Sequence, residues 1–323
     1  MVQYMNITTL THCNLLQKTN AFINRNKSYA QKLKGVNIFN PALKYINNGA
    51  RLSQKNPRPI SEFLKDKIEI IDIKRKDKTK NISAWYINPQ NSENVVFYVH
   101  GLGKNITDYQ SLYEKIVKMG LGVFAVEYRG HGFNPTTKVT EKKLNYDLNL
   151  AYKNLTKKQH IKPENIVVVG HSLGGALSTS FTKSHKKVKS LILISPMCNI
   201  FNLGEKFVQN PRIGFGVPVF MYKLADKFPL LKWIQNCNFN SLKKIGKFDV
   251  PTSIVQSKND AVTSLKGAEK LVKAANEHGN LNKYVFLEKG GHAIAAGKED
   301  AVISMLEKIY QLPKGIKSLD ENV

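Results

Sequence analysis

No acidic side chain occurs in this 323-residue chain before Glu62, although the same stretch carries nine lysines and arginines. That absence sets residues 1–60 apart as a basic leader, partly helical or disordered, punctuated by Asn40-Pro41 and Asn56-Pro57-Arg58-Pro59. Serine is not enriched there and lysine outnumbers arginine, which argues against an organelle transit sequence and leaves a membrane-surface arm or a loose tail. Over the whole chain 24 Asp and Glu face 49 Lys and Arg, a formal charge of +25. The lysines are spread rather than blocked and few aromatics lie among them. The charge therefore reads as a solvated surface with weak association to an anionic membrane, not as specific nucleic-acid recognition. Cysteine is scarce: Cys13, Cys198 and Cys237 are scattered and odd in number. They make neither a disulfide framework nor a zinc cluster and fit a reducing compartment. No apolar run is long enough to span a bilayer, and the N-terminus shows no continuous apolar signal region, so a cytoplasmic location is expected. Gly101 and Gly103 complete no phosphate-binding loop, since no third spaced glycine and no Lys-Ser/Thr pair follows. Neither cofactor nor metal is expected.

What is present is an ordinary apolar content of 42% and one pentapeptide around which the chain is organised, Gly170-His171-Ser172-Leu173-Gly174. It directly follows the apolar run Asn165–Val169 and directly precedes the small residues Gly175-Ala176-Leu177-Ser178. A buried strand, a G-x-S-x-G turn and a closely packed helix make the context of a nucleophile elbow. A strained turn there lifts the Ser172 hydroxyl above a sheet at a helix N-terminus, and glycines on either side avoid collision with neighbouring backbone. Ser172 is the expected nucleophile.

The surrounding pattern supplies the sheet. Ile68–Ile73 and Asn81–Ile87 read as a hairpin around the charged turn Lys76–Lys80. Asn94–Val99 is a continuous apolar strand, followed by a helix over Thr107–Met119, a strand over Leu121–Glu127 and a helix over Glu141–Thr156. After the elbow come a strand over Val188–Ile194, a strand over Thr252–Gln256, a helix over Val262–Glu277, a strand over Lys283–Leu287 and a helix near Ala301–Tyr310. Short apolar strands alternating with helices predict a doubly wound, mostly parallel, eight-stranded α/β sheet over residues 61–313, with 314–323 as a tail. The rhythm breaks between 199 and 246, where aromatics, prolines and glycines without a clear strand predict a helical insertion over the carboxyl ends of the strands.

A serine hydroxyl is a weak nucleophile at neutral pH and needs a base. Among eight histidines His292 is the candidate, because Lys289-Gly290-Gly291-His292-Ala293 follows a strand and its glycines let the loop turn back over Ser172. His12, His160, His185 and His278 read as surface or loop residues, and His171 as structural. The base needs an acid to orient it. Asp260 follows the strand Thr252–Gln256 at the same sheet edge, with Glu288 as the fallback. The order Ser, Asp, His suits this fold. The backbone N–H groups of Leu102, in His100-Gly101-Leu102-Gly103, and of Leu173 are the expected oxyanion donors.

These residues resemble the α/β-hydrolase superfamily over about 67–312, most closely its small-lid serine hydrolases such as monoacylglycerol-lipase-like esterases. Glu127-Tyr128-Arg129-Gly130-His131-Gly132 is similar to their D-x-R-G-H-G motif, and Ile194-Ser195-Pro196 and Asn240-Ser241-Leu242 to Val250-Pro251 are also similar. Glu127 stands where Asp is usual, Asn134 where Ser is common, and Ser257 where Gly often precedes the acid. The resemblance implies a Ser172–Asp260–His292 triad and a lid over 199–246, with Phe201, Phe220 and Trp233 walling the acyl site. It implies cleavage of small or lipid-like acyl esters, with an acyl thioester or an aminopeptidase substrate as the alternative. A binding protein on the same fold is the reading from a different class.

Overall fold

Val95–Val99 and Ile166–Val169 have no polar interruption, and such strands are buried on both faces only inside a sheet covered by helices. The computed structural model describes residues 57–75, 81–132, 134, 139–199, 239–294 and 296–312. It shows β1 (Ile68–Ile73), β2 (Ile82–Ile87), β3 (Val95–Val99), α1 (Gln110–Lys118), β4 (Gly122–Glu127), α2 (Glu141–Lys157), β5 (Ile166–His171), α3 (Leu173–Ser184) and β6 (Ser190–Ile194). A one-turn α4 (Leu242–Ile245), β7 (Thr252–Ser257), α5 (Leu265–His278), β8 (Leu281–Leu287) and α6 (Ala296–Tyr310) follow. The eight strands form one open sheet in the order β1-β2-β4-β3-β5-β6-β7-β8. β2 pairs antiparallel with both β1 and β4, and every other pair is parallel.

The pleat divides the core. Val95, Phe97 and Val99 face α2, α3 and α5, packing with Leu148, Phe181 and Leu271. Val96 and Tyr98 face α1 and α6, packing with Leu112, Ile116, Val302 and Leu306. Because β4 lies on one side of β3 and β5 on the other, the loops leaving β3 and β5 part company at their carboxyl ends. A crevice at such a switch point is where open α/β sheets bind ligands. His100 directly follows β3 and Ser172 directly follows β5, so the fold brings both loops to that crevice.

Several boundaries differ from the expectation for local reasons. The helix expected from Thr107 starts as a 3₁₀ turn, Ile106–Tyr109, because Asn105 and Asp108 form a capping box there. α5 starts at Leu265 rather than Val262, since the Val262 and Thr263 N–H groups are turned to the Asp260 carboxylate and Ser264 caps the helix instead. α6 starts five residues before the expected Ala301; its first turn carries Lys298 and Glu299, buried polar residues that carry no hydrophobic period. Of the insertion expected over 199–246, residues 200–238 lie outside the described residues, as do 1–56 and 313–323. The described chain resumes at Phe239, fully buried at φ 44°, and Ser241 follows, its hydroxyl donating to the Met197 carbonyl at 2.7 Å.

Candidate active site

Ser172 sits between β5 and α3 at φ 53°, ψ −114°. Main-chain bonds hold that conformation: Ser172 N–H donates to Ile194 O at 2.9 Å, and Met197 N–H to Ser172 O at 3.1 Å. The glycines of the pentapeptide serve close approach. A Cβ at Gly174 would collide with the Val99 and His100 carbonyls, and one at Gly170 with Ser178 Oγ and the Gly174 carbonyl. The turn is therefore pressed directly onto the end of β3.

The structure brings the three expected side chains together. His292 Nε2 lies 2.9 Å from Ser172 Oγ, and His292 Nδ1 lies 2.9 Å from Asp260 Oδ2. The Asp260 side chain is fully buried, and its Oδ1 also accepts from Val262 N–H at 2.8 Å and Thr263 N–H at 2.9 Å. Thr263 Oγ1 donates to Oδ2 at 2.9 Å. Burial alone would raise the Asp260 pKa, but His292 and the Thr263 and Val262 amides outweigh it and hold the carboxyl well below the usual range. Asp260 is then an anion that accepts from Nδ1–H, which leaves the Nε2 lone pair for the Ser172 hydroxyl proton. Glu288 takes no part; it is exposed and ion-paired to Lys258 at 2.5 Å.

The loop that carries Leu102 and the elbow that precedes Leu173 lie against each other. Gly101 N–H donates to Tyr109 Oη at 3.1 Å, and a Cβ on Gly101 would touch His171 Nδ1 and Ser172 Cβ, so this loop runs against the elbow. The next amide, Leu102 N–H, meets no acceptor among the described residues, and Leu173 N–H opens α3, where helical amides have no internal partner. Two unused N–H groups beside a serine hydroxyl can bind a developing oxyanion. Phe201, Phe220 and Trp233 lie outside the described residues. Among the described residues no group of three His, Cys, Asp or Glu side chains could hold a metal ion, and no helix is long and apolar enough to cross a membrane.

His171, read from sequence as structural, has a defined part in this geometry. Its Nδ1 is 3.0 Å from Tyr109 Oη and its Nε2 is 3.0 Å from His292 O. A carbonyl can only accept, so Nε2 carries the proton and Nδ1 accepts from Tyr109. Gly101 N–H, Tyr109, His171 and the His292 carbonyl thus form one directional chain between the oxyanion loop and the loop of the base. Burial, with His292 nearby, lowers the His171 pKa well below its ordinary value, which keeps this tautomer neutral. His131 is likewise lowered by burial and by His100. No local sequence signal reports Tyr109 or Thr263, because the chain joins residues distant in sequence.

The Glu-Tyr-Arg-Gly-His-Gly motif lies behind the same loop. Glu127 Oε2 accepts from Ile106 N–H at 3.1 Å, and its Oε1 lies 3.0 Å from His100 Nε2, close but off the line of a hydrogen bond. Tyr128 Oη donates to His100 O at 2.6 Å, and the two rings stack at 4.1 Å. The motif thus braces the loop that carries Leu102.

The depressed His131 and His171 values set a pH dependence of stability. Below 6.5 the unfolded chain takes up protons that the folded chain refuses, so stability is present above that pH and falls as the pH drops. Each histidine is expected to remove about 1.4 kcal/mol per pH unit. Urea unfolding between pH 7 and 5 should therefore show a falling midpoint, less steep in His131→Asn; a flat or rising midpoint would contradict the buried neutral rings.

The chain is similar to known hydrolases. The family described as serine aminopeptidase, S33, matches residues 90–228. A Mycoplasma genitalium protein described as an esterase/lipase is 30% identical over 213 residues, covering 58% of this chain and 78% of the relative. Its Mycoplasma pneumoniae counterpart is 24% identical over 243 residues, covering 65% of this chain and 87% of the relative. An esterase structure from Pyrococcus furiosus superposes with a TM-score of 0.63 at 16% identity, over 80% of this chain and 95% of that one, and shares its fold.

Proposed function

Because the chain belongs to the esterase/lipase family of α/β-hydrolases, we propose that it is a serine hydrolase that cleaves carboxylic esters with an apolar acyl group. The observation that carries this reading is the line from Asp260 Oδ2 to His292 Nδ1 and from His292 Nε2 to Ser172 Oγ, each step 2.9 Å. His292 Nε2 takes the hydroxyl proton as Ser172 Oγ bonds to the ester carbonyl carbon. Asp260 stabilises the resulting imidazolium, and Leu102 and Leu173 N–H groups stabilise the oxyanion. Collapse breaks the bond to the alkoxy oxygen, which leaves with the proton from His292, and an acyl-serine remains. Water, deprotonated by the same nitrogen, attacks the acyl carbon and frees the acid and Ser172.

The substrate is a small or lipid-like ester, such as a monoacylglycerol or lysophospholipid. The cell compartment is the cytoplasm, with the basic charge favouring weak contact with anionic membrane. The description of the matched family supports a second reading, an aminopeptidase. That activity requires carboxylates free to bind a substrate amine, and at this site Asp260 is already committed to His292, Val262 and Thr263. The test is hydrolysis of p-nitrophenyl esters from C2 to C16 beside an amino-acid anilide and an acyl-CoA. The expected outcome is an optimum at short or medium acyl length with weak anilide and thioester turnover. Anilide turnover equal to the best ester would overturn the ester preference.

A further inference from the structure

The loop carrying His292, between β8 and α6, has little main-chain bonding of its own. Gly290 and Gly291 adopt φ 133° and 58°, and no backbone–backbone hydrogen bond is formed by 288–294 among the described residues. Side chains hold it instead. Asn259 Oδ1 accepts from Gly291 N–H at 2.9 Å, and His171 Nε2–H donates to His292 O at 3.0 Å. Lys298 Nζ donates to Gly291 O at 2.5 Å and to Ala293 O at 3.2 Å. Three consecutive carbonyls, centred on His292, are therefore pinned from beneath by two buried side chains.

Lys298 is placed where a lysine is disfavoured. It is fully buried and lies in the first turn of α6, where the helix dipole repels a cation. Burial pushes its pKa down to about 8, with Asp260 opposing the shift. An apolar side chain of similar volume would fill the space without that cost. What only the ammonium supplies is three donors, and it has three acceptors: the two loop carbonyls and Ser195 Oγ at 2.8 Å. Ser195 is itself fixed to the sheet edge, its N–H donating to Val255 O at 2.8 Å, and its carbonyl lies 3.3 Å from Thr263 Oγ1. Thr263 also binds Asp260. Lys298 thus ties the loop of the base to the strand ends that carry the acid.

We propose that Lys298 is a positioning residue for the hydrolysis: by binding the Gly291 and Ala293 carbonyls and Ser195 it fixes the loop that holds His292 against Ser172. The proposal rests on the serine-hydrolase reading above. Loss of this tether lets the imidazole wander by a fraction of an ångström to an ångström, a misplacement that costs about 10²-fold in rate. It leaves the acyl and leaving-group contacts, and so KM, largely alone.

The test compares wild type with Lys298→Met and Lys298→Gln on a p-nitrophenyl ester of short acyl length. It also follows amide hydrogen exchange of 288–294 and of α6. The expected result for Lys298→Met is a fall in kcat of about 10²-fold with KM within about twofold. Exchange should speed up in 288–294 while α6 stays protected, and Lys298→Gln, which keeps a donor, should recover part of kcat. Folded variants with kcat near wild type would overturn the proposal. So would a loss in which KM and α6 protection move together, or failure of both variants to fold, which assigns Lys298 to stability alone. A wild type without Ser172-dependent turnover defeats the ester reading separately, and the exchange data still report whether Lys298 holds the loop.

Discussion

Ser172→Ala is expected to lower kcat on esters by about 10⁴- to 10⁶-fold, on the order of 5–8 kcal/mol of transition-state stabilisation. The whole covalent route passes through one oxygen, and alanine offers His292 no proton to take. What would remain is the slow attack of water held near the Leu102 and Leu173 amides. The fold should survive. Among the described residues Ser172 Oγ has His292 Nε2 as its hydrogen-bond partner, and the strained backbone is held by Ile194 O and Met197 N–H, which alanine keeps. Steady-state kinetics and a melting curve on the same sample check both halves. Residual kcat within tenfold of wild type in a folded variant would show that another group attacks the ester.

The largest expected effect on stability comes from Asp147→Ala, away from the reacting atoms. The Asp147 carboxylate is fully buried on α2 and accepts from Arg75 Nε at 3.1 Å and Nη2 at 3.2 Å. It also accepts from Arg129 N–H and Nε at 2.9 Å each and from Arg129 Nη2 at 2.6 Å. Both guanidinium groups are almost fully buried, with side-chain exposures of 2% and 4%. Removing the carboxylate takes away the anion that these two buried guanidinium groups share, and breaking such a buried network costs about 3–5 kcal/mol. For a domain of this size that corresponds to a melting temperature lower by roughly 10 °C or more. Urea unfolding of the variant measures it directly. A loss under about 1 kcal/mol would mean that water or another acid replaces the carboxylate.

The Arg129 interaction also shows what a motif in sequence can and cannot say. Glu127 to Gly132 is recognisable as a pattern, but the pattern does not reveal that Arg129 reaches α2 or that Glu127 and Tyr128 brace the loop before Leu102. Those uses depend on Asp147, Ile106 and His100, which lie on other elements. The strands and the elbow were legible because burial on both faces of a parallel sheet leaves an uninterrupted apolar run, and because a strand, a tight turn and a helix must follow one another in sequence. Asp260 and His292 were legible for a related reason: each lies in the loop directly after a strand, and all such loops in a parallel sheet open at one edge. Thr263, Tyr109 and Lys298 were not. Each acts through hydrogen bonds to main chain or to side chains distant in sequence, and a buried lysine at the head of α6 reads in one dimension as a polar turn. For the same reason the start of that helix was placed five residues late.

Ester hydrolysis by this route requires Ser172 to be a nucleophile activated by His292. Folded protein treated with a fluorophosphonate, digested and mapped by mass spectrometry tests this most directly. A single adduct is expected on the peptide containing Ser172, formed in step with loss of ester hydrolysis and nearly absent in His292→Ala. An adduct on a different residue, or an unmodified Ser172 in protein that still hydrolyses esters, would contradict it.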